Sequence, residues 1–309
     1  MTGQAPMRAV VRTPGTCGEL AQGVLRERHF HVTCPIDLFS TVTVELASGT
    51  GRVSGPVDSP KAIRAAELTL QWVDRRDLDA IVSISSPLPR GKGMASSTAD
   101  VAGAIVGVAV ATGQRISATD ISRIALEVEP SDGLMFPGIV AFDHRAGRLY
   151  EPLGHAPAMS VLVLQFEGVV DSVTFNTENK STFFADLEPY WREAMALIRE
   201  GMRRGDIQLL ARGATLDAVT YADIVPQPNL PPVLALAKET GALGVNLAHS
   251  GTVMGLLFPP NEPTLVAHAE QLAITRFPGL ERAYRHKLTD GGVRVVHVAA
   301  PQEGSVEPT

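Results

Sequence analysis

The chain is short of cysteine, of aromatic side chains and of unbroken runs of charge or of apolar residues. Its only cysteines are Cys17 and Cys34 among 309 residues. That is too few for a disulfide framework, and with no histidine at metal spacing it argues against a structural zinc; both read as reduced thiols of a cytoplasmic protein. Aromatic residues make up 5% of the chain and apolar residues 45%, so the cores must be built from Val, Ala, Leu and Ile. The net charge is −6 and Lys and Arg form no long run, which argues against a nucleic-acid partner. The most apolar stretch, 101–111, is too short and too weakly apolar to cross a bilayer, so no membrane partner is expected. The first residues lack a charged region followed by an apolar block, so no secretory signal is expected. The length suits one large or two modest domains.

What the chain does have is a dense loop. Residues 87–99 read Pro-Leu-Pro-Arg-Gly-Lys-Gly-Met-Ala-Ser-Ser-Thr-Ala, after a strand pattern at Asp79–Ser85 and before a small-residue helix pattern that begins at Thr98. Gly91 and Gly93 admit backbone angles that other residues resist. A glycine loop feeding a helix start leaves N–H groups pointing outward under about half a positive charge, which suits a phosphate. The hydroxyls of Ser96 and Ser97 reach a phosphate oxygen or its metal, and Arg90 and Lys92 add positive charge. The nucleotide-binding candidates are therefore Pro89, Arg90, Gly91, Lys92, Gly93, Met94, Ala95, Ser96, Ser97 and Thr98. The loop has neither the Walker A nor the dinucleotide spacing. The plainer alternative is a strand–turn–helix junction with serine caps.

A second informative stretch is Glu129-Pro-Ser-Asp132-Gly133, after a helix pattern that Ser117 caps and that runs to Val128. Two carboxylates sit in a turn that proline and glycine stiffen. Magnesium prefers one or two carboxylate oxygens plus phosphate and water, and phosphoryl transfer needs an acid oriented at the nucleophile. Capping of nearby backbone is the alternative for such a pair.

Elsewhere the patterns predict a strand at Met7–Arg12, a glycine-rich turn at 14–23 carrying Glu19, a hairpin of Val24–Leu25 with Phe30–Thr33, and a strand at Thr41–Leu46. A helix opens at Pro60, and a strand at Ile139–Phe142 leads into a hairpin turn, 143–147. The second half reads as a strand at Ser160–Phe166, helices at Thr182–Arg203 and Asp206–Asp217, and a helix running to Thr240. Strands at Gly244–Ala248 and Val253–Phe258 follow, then a helix at Glu262–Phe277 and a closing strand at Gly292–Ala299. That order predicts a split α+β sandwich of the ferredoxin type. The tail beyond Pro301 reads as disordered.

Five segments in order resemble the GHMP kinase superfamily and, within it, the L-threonine kinase branch. They are Pro-Gly-Thr-Cys-Gly-Glu-Leu-Ala-Gln-Gly (14–23), Thr-Cys-Pro-Ile-Asp (33–37), Arg-Gly-Lys-Gly-Met-Ala-Ser-Ser-Thr-Ala-Asp (90–100), Glu-Pro-Ser-Asp (129–132) and Phe-Asp-His (142–144). Ser-Gly-Thr-Val-Met-Gly (250–255) resembles the superfamily's third, glycine-rich loop. The resemblance implies an α+β, two-lobed fold: a ribosomal-S5-like N-terminal ATP-binding lobe at 1–155, a ferredoxin-like C-terminal lobe at 156–300 and a tail at 301–309. It implies ATP and Mg²⁺, and a small-molecule substrate, L-threonine or a similar hydroxy-amino acid. The product would be O-phospho-L-threonine, made for the aminopropanol linker of cobalamin. Asp132 and Lys92 then become the catalytic candidates, the first orienting the acceptor hydroxyl and the second, or Arg90, drawing off developing charge. The acid comes two positions sooner than in mevalonate kinase, and the position of that enzyme's helix glutamate falls on Ile121, which cannot bind metal. Ser97 and Glu129 are therefore the expected metal pair, with Glu127 in reserve. Glu19 and Asp37 are candidates for the substrate ammonium, and Ser250, Gly251 and Thr252 for the loop that closes over the substrate, with His249 a loop donor. Homoserine or another small alcohol, a decarboxylase that phosphorylates first, and a non-catalytic ligand-binding regulator are the competing readings. Base preference and the choice between monomer and homodimer stay open.

Overall fold

The first strand runs well beyond Arg12, through a stretch buried on both faces. In the computed structural model, which describes residues 7–168, 184–249 and 252–299, β1 (Arg8–Leu25) runs unbroken and pairs antiparallel with β2 (Arg28–Ser48). The turn residues Arg26 and Glu27 have φ of 48° and 64°, as a two-residue hairpin of primed type requires. The glycine-rich turn expected at 14–23 is thus part of the strand. Register shifts at Pro14/Gly15, Thr16/Glu19 and Glu19/Ala21 absorb the extra residues as bulges, which bend a strand and re-aim its side chains.

Against this hairpin lies α2 (Ser96–Ala111), almost wholly buried because its residues are small and apolar on every side. Gly103 and Gly107 let it approach closely: a Cβ on either would fall 2.6 Å from a methyl of Val42 or Val44. Gly103→Val is expected to destabilise the protein by about 1–3 kcal/mol through overpacking, read as a lower denaturant midpoint. Beside it lie α1 (Pro60–Trp72), started by Pro60, and α3 (Ala118–Val128), capped by Ser117 Oγ accepting from Asp120 N. β4 (Leu78–Ser85) pairs with β2 and, in parallel, with β3 (Val53–Ser54). β5 (Ile139–Phe142) pairs with β2 and with β6 (Tyr150–Gly154).

In the second half, β7 (Ser160–Phe166), β8 (Gly244–Leu247), β9 (Val253–Phe258) and β10 (Leu280–Lys287) line up as β10-β7-β9-β8. The helices α4 (Phe184–Arg204), α5 (Ile207–Ala222) and α6 (Leu230–Thr240) connect β7 to β8, and α7 (Pro263–Arg276) connects β9 to β10. This is the expected ferredoxin-type order, closed by a different strand. β10 reads Leu-Glu-Arg-Ala-Tyr-Arg-His-Lys, and its charges hide the strand alternation, as charges on an edge strand do. The expected closing segment, β11 (Arg294–Ala299), returns instead to the first half and pairs antiparallel with β1. Glu19 opposite Leu247 joins β1 to β8, so one sheet runs through both halves with Glu19 at the seam. Cys17 and Cys34 are free, and both are buried. Among the described residues no helix is long and apolar enough to cross a membrane. Ser250, Gly251, Thr182 and the tail beyond Pro301 lie outside the described residues.

Candidate active site

The loop before α2 coils through three left-handed residues, Gly91 (φ 67°), Gly93 (φ 83°) and Ala95 (φ 53°). Two are glycines, for which that region is free; Ala95 is held there against its preference. The coil lets the helix begin at Ser96, two residues before the expected Thr98, and no side chain caps it. Its first-turn N–H groups are the ones that the sequence reading offers to an anion. Two clefts meet at this point and share Gly91, Ser96, Ser97 and Glu129. One runs past Arg90, Asp58 and Lys61. The other runs past Asp132, Glu19, His31, His144 and His249.

Glu129 stands between them. It is the first residue beyond α3 and is buried, and its carboxylate accepts hydrogen bonds from Ser97 Oγ and Lys61 Nζ. A hydroxyl and a carboxylate face each other here, with an ammonium already drawn to them. Those hard oxygens fit Mg²⁺. The reserve, Glu127, is exposed and lines neither cleft. Arg90 reaches Asp58 O and donates to Ser59 Oγ at 2.6 Å, on the rim of the first cleft.

The second cleft is built on buried acids and neutral imidazoles. Asp132 keeps a fifth of its side chain open. Its N–H donates to Thr98 Oγ1 at 3.4 Å, and its Oδ1 lies 3.1 Å from His31 Nδ1, within hydrogen-bond distance. Burial raises its pKa above the usual carboxylate range, against the lowering pull of His144. Glu19 is raised well above its ordinary value by burial first, then by Asp132 and Asp217. Burial, with Arg145 and His29, drives His31 down to about 3, so its ring is neutral at ordinary pH. The His31 ring stacks on His144 with centroids 3.6 Å apart and tilts against His249 at 4.4 Å.

An uncapped helix start, a hydroxyl–carboxylate pair and a separate buried acid form the parts list of a phosphoryl-transfer site. The family model of the GHMP kinases N terminal domain matches residues 60–136, and that of the GHMP kinases C terminal matches residues 198–269. The chain carries the N-terminal and C-terminal domains of the GHMP kinases, in that order. It is 27% identical over 300 residues to an L-threonine kinase of Salmonella typhimurium, covering 93% of this chain and 95% of that one. It is 28% identical over 258 residues to an L-threonine kinase of Citrobacter freundii, covering 82% and 87%. The crystal structure of homoserine kinase from Cytophaga hutchinsonii superimposes with a TM-score of 0.71 at 14% identity, covering 96% of this chain and 99% of that one, a likeness of fold.

Some expected residues are engaged elsewhere. Lys92 is a correction: its Nζ donates to Glu281 Oε2 at 2.6 Å and to Phe166 O at 3.2 Å, so it lines neither cleft and ties the loop to β10 and β7. Held at Glu281, its ammonium stays outside both clefts, whereas Lys61 lines the first of them. Asp37 is a second: its Oδ1 accepts from His286 Nδ1 at 2.9 Å and Lys287 N at 3.0 Å, outside both clefts. Thr252 donates its N–H to Lys92 O at 3.0 Å and so backs the loop from behind. Pro89 lines neither cleft. The sequence reading missed Lys61 and His31, and gave His144 no role beyond its place in the 142–144 segment. Nothing local marks Lys61, which follows the helix-starting proline. His31 had a signal: it lies among Phe30, Val32 and other inward residues of a strand, where a histidine is buried and needs a partner.

Proposed function

We propose that this protein transfers the terminal phosphoryl group of ATP to the side-chain hydroxyl of a small hydroxy-amino acid, L-threonine, and that the O-phospho-L-threonine formed serves the aminopropanol linker of cobalamin. The observation that carries the reading is the placement of the loop-and-helix start between two unlike clefts. The cleft with Arg90 and Lys61 offers cations to a nucleotide; the cleft with Asp132 and Glu19 offers buried acids to a hydroxyl and an ammonium. The two relatives named L-threonine kinase support the choice of acceptor.

The N–H groups of Gly91–Ser97 hold the phosphates. Ser97 and Glu129 would hold Mg²⁺, which when bound offsets charge on the phosphate oxygens. Lys61 and Arg90 face the phosphate end of the nucleotide cleft and take up the charge that Lys92 cannot reach. Asp132 orients the acceptor hydroxyl and takes its proton as the oxygen–phosphorus bond forms and the bond to the ADP oxygen breaks in line. Glu19 receives the acceptor's ammonium, which relieves a carboxylate otherwise buried without a cation.

The test is ADP release with L-threonine, L-serine, L-homoserine and mevalonate. L-threonine is expected to give the highest kcat/KM. Preference for homoserine or mevalonate would overturn the acceptor, and no release with any of them would overturn the kinase reading for this site. Ser97→Ala is expected to raise the Mg²⁺ concentration for half-maximal rate severalfold; an unchanged requirement would move metal binding to other groups.

A further inference from the structure

We infer that His31 is a positioning residue: its neutral imidazole, clamped in a histidine stack, donates the Nδ1 hydrogen that aims Asp132 at the acceptor. The inference rests on the kinase reading above and assigns a role to a residue outside every motif used to reach it.

The geometry is specific. His31 Nδ1 lies 3.1 Å from Asp132 Oδ1 and 3.8 Å from Glu19 Oε1. Both neighbours accept hydrogen bonds when ionised, so the single proton of a neutral ring belongs on Nδ1. The ring cannot turn to offer its other nitrogen without leaving its seat. It stacks at 3.6 Å on His144, whose Nε2 accepts from Arg145 Nε at 3.4 Å. It leans at 4.4 Å on His249, whose Nδ1 donates to Gln22 Oε1 at 2.7 Å. Gln22 is fixed in turn: its N–H donates to Asp217 and its Nε2 to Leu247 O. The stack thus locks one N–H at one carboxylate, and with Oδ1 engaged, Oδ2 is the oxygen left for the acceptor hydroxyl.

The donor also has an electrostatic task. The groups around the pair are Glu19 from β1, His29 from β2, Asp143, His144 and Arg145 from the turn after β5, His249 after β8, and Asp217 and Tyr221 from α5. Burial pushes Asp132 and Glu19 toward their protonated forms, and at Glu19 the charges of Asp132 and Asp217 add to it. A hydrogen bond to the charged form opposes that push, and a protonated Asp132 could not receive the acceptor's proton.

Two variants separate this role from packing. His31→Leu removes the N–H; His31→Asn keeps an amide N–H near the place of Nδ1. Both are assayed with ATP and L-threonine after thermal unfolding confirms a folded protein. His31→Leu is expected to lower kcat about 10²-fold while the KM for ATP stays within about twofold, since mis-set geometry acts on the reacting end. The acid limb of its pH profile should move to higher pH, because Asp132 loses a donor to its ionised form. His31→Asn should recover most of kcat and bring the limb back. Equal losses in both variants with an unmoved limb, or a His31→Leu enzyme with more than half of normal kcat, would overturn the inference. A readout free of activity is the ¹⁵N spectrum of labelled histidine in the wild-type protein. A neutral Nδ1–H form of His31 persisting below pH 5 supports the role, and an Nε2–H form or a cation at pH 6 overturns it. A wild-type protein that releases no ADP with any acceptor while showing the Nδ1–H form would sink the kinase reading and leave the hydrogen bond standing.

Discussion

Asp132→Asn is expected to turn over about 10³-fold more slowly than the wild type at saturating ATP and L-threonine, within the range seen when a positioned general base is lost. The amide keeps the shape and can still accept from His31, so the site should stay assembled. It cannot take the acceptor's proton. Asp132 lines the acid cleft and not the one shared with Arg90 and Lys61, so the KM for ATP should change by no more than about twofold. The measurement is steady-state ADP release, with a single-turnover experiment to show that the chemical step has slowed. A variant that keeps more than a tenth of the normal rate would remove Asp132 from the role and leave alignment and charge as the whole of catalysis.

Glu129→Gln should have the next largest effect, about 10²-fold in kcat/KM for ATP, since the Mg²⁺ that Glu129 would help hold would supply several kcal/mol of charge stabilisation and each 1.4 kcal/mol is tenfold. Among the described residues Glu129 is the one carboxylate that both clefts touch, and Ser97 Oγ and Lys61 Nζ both bond to it. Excess Mg²⁺ should recover part of the loss, unlike the loss at Asp132. Isothermal titration with MgADP should show the same weakening without turnover. Unchanged MgADP affinity would mean that the carboxylate serves only to hold Lys61 and Ser97.

Much of this was legible in the sequence where chemistry is local. Positive φ at Gly91 and Gly93, the helix at their exit and the stiff turn carrying Glu129 and Asp132 all follow from neighbours within a few residues. What escaped was set by residues far apart in the chain. Lys92 looks like a phosphate ligand until Glu281, 189 positions later, takes it. Asp37 looks free until His286 arrives from 249 positions away. The His31–Asp132 pair spans 101 positions and needs β2 and the turn after α3 to meet. Strand boundaries failed for a different reason. β1 swallows its glycines as bulges, and β10 carries charges where an inner strand would show alternation.

The return of β11 to β1 has a bearing on how the protein is made. Arg8 faces Ala299 across that ladder, so one flank of β1 waits, during synthesis, for β11 to leave the ribosome. Until then the nascent first half presents bare backbone N–H and C=O groups along 8–12, an invitation to pair with another chain. Expression of the first half by itself should therefore give aggregates. Joining the ends through a short linker and reopening the chain in an exposed loop would let the two strands emerge together, with every ladder of the finished sheet intact.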